Sequence, residues 1–263
     1  MSGTDGQKAP GARKLTLGVI ARSVALNLGF YVLYPLVMIF GFFFLLTPRK
    51  TSIWALRQWS RFFVFMCRTL GGIGFEVRGR EHIPQGAALV AGKHQSMWET
   101  FALFHLLDDP AIVLKKELTY IPLVGWFLMK FRMIPVDRTA GPKALKNLVR
   151  HAKAAVAEGR QIIIFPEGTR RPVGARPDYK PGVAALYTAL KTPCAPFALN
   201  SGVFWPRRSF WRWPGTIVVE FLPLIEPELP RRVFMTKLQE AIEPAAEKLA
   251  EEGMRELARR MGG

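Results

Sequence analysis

From Ser23 to Pro48 the chain carries no charged side chain, and it includes Phe40, Phe42, Phe43, Phe44, Leu45 and Leu46. A run of 26 residues exceeds the roughly 20 apolar residues that cross a hydrocarbon core as a helix. It is too long, and lacks the small-residue cleavage site, for a secretory leader. A chain of 263 residues has little core in which to hide such a segment. The run therefore predicts a membrane element, with Pro35 placed to kink its helix. Arg13, Lys14 and Arg22 precede it and Arg49 and Lys50 follow, so charge asymmetry sets no orientation. Basic residues at both ends suit a hairpin dipping into one leaflet as well as a full span.

The next segment is amphipathic. Lys50, Arg57, Arg61 and Arg68 fall within about 40° of one another on a helical wheel, with Leu56, Trp59, Phe62, Phe63, Met66 and Leu70 opposite. Such a basic helix lies in a headgroup layer. Residues 1–14 read as a disordered tail, 15–72 as membrane-associated helices, and 73–263 as one further domain.

In that domain, short β-rich runs recur at Gly74–Arg78, Ala88–Gly92, Ala111–Leu114, Met133–Val136, Gln161–Phe165, Pro196–Leu199 and Thr216–Phe221. Helical patterns separate them, notably Lys143–Ala157 and Gly182–Leu190. The alternation predicts an α/β fold, a mostly parallel mixed sheet flanked by helices. Phe234–Arg260 reads as a charged amphipathic helix interrupted at Pro244.

Lys and Arg number 37 against 20 Asp and Glu, a net charge of +17 that calls for an anionic partner. Nucleic acid would require basic-aromatic elements away from the membrane segment, and Trp205–Trp213 is the sole candidate. Trp and Arg equally suit a headgroup layer, and the segment is read as an interfacial loop rather than a nucleic-acid site. Cys67 and Cys194 form no disulfide framework or metal spacing and read as core hydrophobes in a reducing compartment. Four scattered histidines offer no zinc-ligand pair.

The chemistry-bearing stretch is Gly92-Lys93-His94-Gln95-Ser96-Met97-Trp98-Glu99. A carboxylate on one imidazole nitrogen fixes the tautomer and stabilises the imidazolium formed when the other nitrogen takes a proton. His94 and Glu99 meet if the histidine lies on the turn and the glutamate in the first helical turn. Taken alone, Ser96-x-x-Glu99 reads more simply as a capping box. A second motif, Pro166-Glu167-Gly168-Thr169-Arg170-Arg171, leaves a buried strand where ligands gather in open α/β sheets, and its arginines suit an oxyanion. Met133–Arg138 is a further strand ending in a cation. Lys115 and Lys116 add two more, and Pro196–Ser201 ends in polar residues.

In this order the blocks resemble the 1-acyl-glycerol-3-phosphate acyltransferase family, over about two fifths of the chain. The resemblance implies acyl transfer from acyl-CoA or acyl carrier protein to the sn-2 hydroxyl of a lysophospholipid, with neither metal nor cofactor. It implies His94 as general base and Glu99 as its orienting partner. Arg138, Glu167, Gly168, Thr169 and Arg170 would shape the acceptor site, Arg170 on the phosphate, with Lys116 or else Lys115 as a second phosphate contact. The commoner family pattern has Asp where this chain has Glu99, so the carboxylate must be set back by one methylene or the helix shifted. Another lysolipid acceptor, such as a lyso-ornithine lipid, and a silent lipid-binding protein are the rival readings. The expected location is the cytoplasmic face of a bacterial inner membrane.

Overall fold

A computed structural model describes residues 15–262. The tail expected at 1–14 lies outside the described residues. Thr16 caps the first helix, α1 (Leu17–Phe40), its hydroxyl accepting from the Val19 N–H at 3.3 Å. Pro35 sits inside α1 without ending it. The uncharged run then breaks into a 3₁₀ turn (Gly41–Leu45), and α2 (Arg49–Gly71) returns antiparallel to α1. Phe30 meets Phe63 edge-on at 5.9 Å and Tyr34 lies 6.0 Å from Trp59, so the two helices are paired along their length. The expected hairpin is thus formed. Ile53, Trp59, Phe63, Met66 and Cys67 of α2 are buried, whereas Trp54, Phe62 and Phe65 remain exposed.

Seven strands follow: β1 (Ile73–Arg78), β2 (Ala88–Gly92), β3 (Pro110–Lys115), β4 (Ile134–Val136), β5 (Gln161–Ile164), β6 (Cys194–Leu199) and β7 (Gly215–Phe221). They form one sheet in the order β1-β7-β6-β2-β5-β3-β4. The last five in that order are mutually parallel. β7 runs antiparallel to β6 and carries β1 parallel to itself. All seven expected strands are present, and the sheet is mixed but mostly parallel.

The remaining helices are α3 (Trp98–Ala102), α4 (Val124–Lys130), α5 (Gly141–Ala157), α6 (Gly182–Leu190), α7 (Ser201–Phe204) and α8 (Arg231–Met261). Two cores sandwich the sheet. Strand alternation sends Ile163 to the side of the hairpin and α3, with Phe63 and Trp98. It sends Ile162 and Ile164 to the side of α5, α6 and α8, with Ala152, Leu186 and Leu238. The five parallel strands all end at one edge, so their carboxyl-terminal turns line a single rim.

Two expectations are corrected. The C-terminal helix is not interrupted at Pro244: α8 is continuous for 31 residues. Phe234, Leu238 and Ile242 before the proline and Ala246, Leu249, Gly253 and Leu257 after it are all buried, and burial on both sides outweighs one missing hydrogen bond. Nor is Trp205–Trp213 an interfacial loop: Trp205, Arg212 and Trp213 are buried. Asn27 Oδ1 accepts from Arg212 at 3.0 Å, Asn27 donates to the Phe210 carbonyl at 2.8 Å, and the Arg212 N–H donates to Ser23 Oγ at 2.9 Å. The guanidinium also lies 4.4 Å over the Trp205 ring. The segment is the dock for α1, because the helix presents Ser23 and Asn27, its two buried polar residues, to it.

Candidate active site

Buried β2 delivers Gly92, Lys93 and His94 to the rim, and α3 begins four residues after His94. The tight approach leaves His94 on the turn and Glu99 in the first turn of α3, the arrangement in which they can meet. His94 Nδ1 donates to Glu99 Oε1 at 2.8 Å. The same oxygen accepts from the N–H of Gln95 at 2.7 Å and of Ser96 at 2.8 Å. Glu99 Oε2 accepts from Ser96 Oγ at 2.9 Å and from Ser201 Oγ at 2.8 Å. The capping and histidine-orienting readings of Glu99 are therefore both realised, by one carboxylate. Burial alone would raise the Glu99 carboxyl, but the hydrogen bond and charge of His94 and the Ser96 N–H hold it below the usual carboxylate range. An ionised carboxylate only accepts, so His94 Nδ1 carries a hydrogen toward Glu99 and Nε2 is the ring nitrogen that this bond leaves uncommitted. Phe165, at the end of the β5 run, stacks on the imidazole at 4.1 Å and fixes the ring plane.

The turn after β5 is bonded to the histidine turn. The Arg171 N–H donates to the His94 carbonyl at 2.8 Å, so Arg170 and its neighbour are tied to the histidine turn through the backbone. Gly168 has φ 65°, a left-handed value that closes this turn, its N–H donating to the Phe165 carbonyl at 2.8 Å. A Cβ on Gly168 would lie 3.9 Å from Arg138 Cζ, which places the β4 arginine over this turn. Just past the ends of β3 and β4, Lys116 donates to Asp137 at 3.3 Å. Lys116, Arg138 and Thr169 are exposed and Arg170 is half-buried. Each of the five parallel strands thus contributes to one rim: Ser201 after β6, His94 after β2, the Gly168 turn after β5, Lys116 after β3 and Arg138 after β4.

Glu167 differs from the other expected substrate contacts, being closed off from solvent. Its Oε1 accepts from Lys93 Nζ at 2.9 Å. Lys93 also donates to Glu243 of α8 at 3.1 Å, and Tyr179 donates to Glu243 at 2.7 Å. Burial pushes the Glu167 carboxyl up against the opposing pull of Lys93. Among the described residues no group of three His, Cys, Asp or Glu side chains could hold a metal ion. Ser201, Lys93 and Phe165 fall inside the sequence blocks, but the sequence assigns them no role at the site. Their partners are far away in the chain, and only the strand ends on which they sit hinted at them.

The acyltransferase family profile matches residues 74–200, from β1 to the turn after β6. A 1-acyl-sn-glycerol-3-phosphate acyltransferase of Pseudomonas aeruginosa is 39% identical over 180 residues, covering 68% of this chain and 70% of the relative. The chain belongs to this family of acyltransferases. A similarly named Limnanthes alba protein is 28% identical, and the mouse alpha enzyme is 26% identical. The matches span 57% and 60% of those two proteins' lengths, less than two thirds of each. The crystal structure of the 1-acyl-sn-glycerophosphate acyltransferase PlsC from Thermotoga maritima superposes with a TM-score of 0.72 at 20% identity. The match covers 87% of this chain and 97% of that one, so the two share a fold.

Proposed function

We propose that the protein transfers a fatty acyl group from a thioester to the sn-2 hydroxyl of 1-acylglycerol-3-phosphate, giving phosphatidic acid. The name shared by its relatives and the cation-rich rim support this acceptor. The observation that carries the mechanism is the His94–Glu99 pair. With Nδ1 committed to Glu99, Nε2 removes the hydroxyl proton as the oxygen attacks the thioester carbonyl. The tetrahedral adduct then expels the thiolate, which takes the proton back from the imidazolium. Arg170, with Arg138 and Lys116, grips the phosphate; Gly168 and Thr169 shape the turn that carries Arg170. Glu167 acts as a positioning residue, bracing the turn through Lys93. The donor is acyl-CoA or acyl carrier protein, both acidic and drawn by the +17 charge.

The hairpin holds the enzyme on the cytoplasmic face of the bacterial inner membrane. Val19, Ser23, Leu26, Asn27 and Phe30 bury one side of α1 against its own chain, so lipid cannot surround that half of the helix. The other half exposes Tyr31, Val32, Leu36, Ile39 and Phe40, apolar surface suited to one leaflet. This favours a monotopic hairpin over a span.

The test is a purified-protein assay with one labelled acyl thioester and a panel of acceptors that includes lysophosphatidate and a lyso-ornithine lipid. Lysophosphatidate is expected to be preferred, and His94→Ala to abolish transfer while remaining folded. Transfer only to the phosphate-free acceptor, or full turnover by His94→Ala, would overturn the assignment. Arg170→Ala should raise KM for lysophosphatidate by about tenfold to a hundredfold, as loss of a charged hydrogen bond does. KM for the donor should stay unchanged.

A further inference from the structure

Between β3 and β4 the chain makes a 3₁₀ turn (Lys116–Tyr120) and then α4. This stretch belongs to the α/β domain, yet it turns five large apolar side chains to solvent: Leu118, Tyr120, Ile121, Trp126 and Met129. Tyr120 is 67% and Met129 60% exposed, values ordinary for a lysine and costly for a cluster of apolar side chains.

The presentation is rigid. Leu123 adopts φ 63°, a left-handed value unusual for leucine, at the start of α4. A Cβ on Gly125 would collide with the Thr119 carbonyl at 2.0 Å, so only glycine lets the turn close this tightly. The strained turn holds the apolar groups outward when an ordinary loop could fold them under.

The patch is continuous with the tip of the hairpin. Phe42 meets Trp126 edge-on at 6.0 Å, and a Cβ on Gly41 would lie 3.4 Å from the Phe127 ring. Lys130 donates to the carbonyls of Leu45 at 2.8 Å and Thr47, clamping the end of α4 to the hairpin turn. Phe40, Phe43 and Leu46 of the hairpin are exposed beside this seam. At the other end the patch begins at Lys115 and Lys116, the cations at the carboxyl end of β3. An apolar band with Trp and Tyr in it, flanked by lysines, matches the boundary between acyl chains and anionic headgroups.

We propose that Lys116–Lys130 is a second membrane-contact element, by which the catalytic domain itself seats on the lipid surface beside the hairpin. This rests on the membrane reading given above. It makes the rim face the bilayer at a fixed height. A lysolipid whose head reaches Lys116 and Arg138 then keeps its acyl chain in contact with the apolar patch while leaving the leaflet.

Nitroxide labels on single introduced cysteines at Ile121 and Met129 of the full chain test this; both native cysteines are buried. Leu36 on the hairpin and Lys146 on α5 serve as controls. The labelled proteins are placed in vesicles of phosphatidylethanolamine and phosphatidylglycerol, and collisions with oxygen and with a water-soluble nickel chelate are compared. Labels at 121 and 129 should favour oxygen as the label at 36 does, while the label at 146 favours nickel. Lipid contact at 36 with water at 121 and 129 overturns this proposal and leaves the membrane reading standing. Water at 36 as well overturns both. As a second measurement, Ile121→Asn with Met129→Gln should raise KM about tenfold for lysophosphatidate presented in vesicles, the effect of losing partial burial of two side chains. The same variant should show unchanged kcat and KM on acceptor dispersed in detergent. An unchanged KM on vesicles contradicts the proposal.

Discussion

A carboxylate without solvent survives at position 99 because both of its oxygens are filled with donors, five in all. Removing any of them changes the charge balance of the histidine it holds. Glu99→Gln keeps the shape but turns an acceptor into a donor toward His94, and kcat should fall by about 10³- to 10⁴-fold, as for other triad carboxylates made amides. Ser201→Ala removes one donor to the anion, so the Glu99 carboxyl should titrate at a higher pH; the acid limb of the rate profile is then expected to move up in pH. Because Glu99 is held below its unfolded value, its stabilising contribution is complete above about pH 5 and is lost as pH falls through the folded value. His105 pulls stability the same way from a different cause. Burial, then the charges of Arg61 and Arg57, push it down to about 4. Between there and its unfolded value near 6.5 the unfolded chain binds more protons, so stability drops as pH drops. His105→Asn should flatten the melting temperature between these limits. His94 and Glu99 could be read in the sequence because their pairing is local to one turn. Ser201, 102 residues from Glu99, could not, since one chain records no distant contacts.

At the scale of elements, strands were the most legible, because a buried parallel strand is a short β-branched run between turn residues. The errors came where tertiary packing overruled composition. Pro244 predicts a break, but a helix buried on both sides of it continues. Trp205–Trp213 has the residues of a headgroup-layer loop, yet Arg212, one of its three arginines, is turned inward to Asn27 of α1. That dock makes a quantitative expectation. Asn27→Ala removes one of the acceptors of Arg212 and the Asn27 donor to the Phe210 carbonyl in a buried setting and should cost about 1–3 kcal/mol, read as a lower melting temperature in detergent micelles. Substituting Leu28, on the exposed side of the same helix, should change that temperature little.

For the molecule as a whole, the proposed function gives the +17 charge and the apolar hairpin different partners: the first would steer an acidic donor, the second would meet lipid. Turnover with a coenzyme A thioester should accordingly slow as ionic strength rises from about 0.05 to about 0.5 M, where screening shortens to a few ångströms. A donor thioester stripped of its phosphates should lose that dependence. The polar dock of α1 also carries a consequence for synthesis. Ser23 and Arg212 are 189 residues apart, so the helix leaves the ribosome long before the residues that receive it. At about 5–20 residues per second, Ser23 and Asn27 wait about 10–40 s for their partners. Throughout that interval α1 has α2 to lie against but not Arg212 or the Phe210 carbonyl, and whatever shelters a nascent chain must shelter the undocked hairpin first.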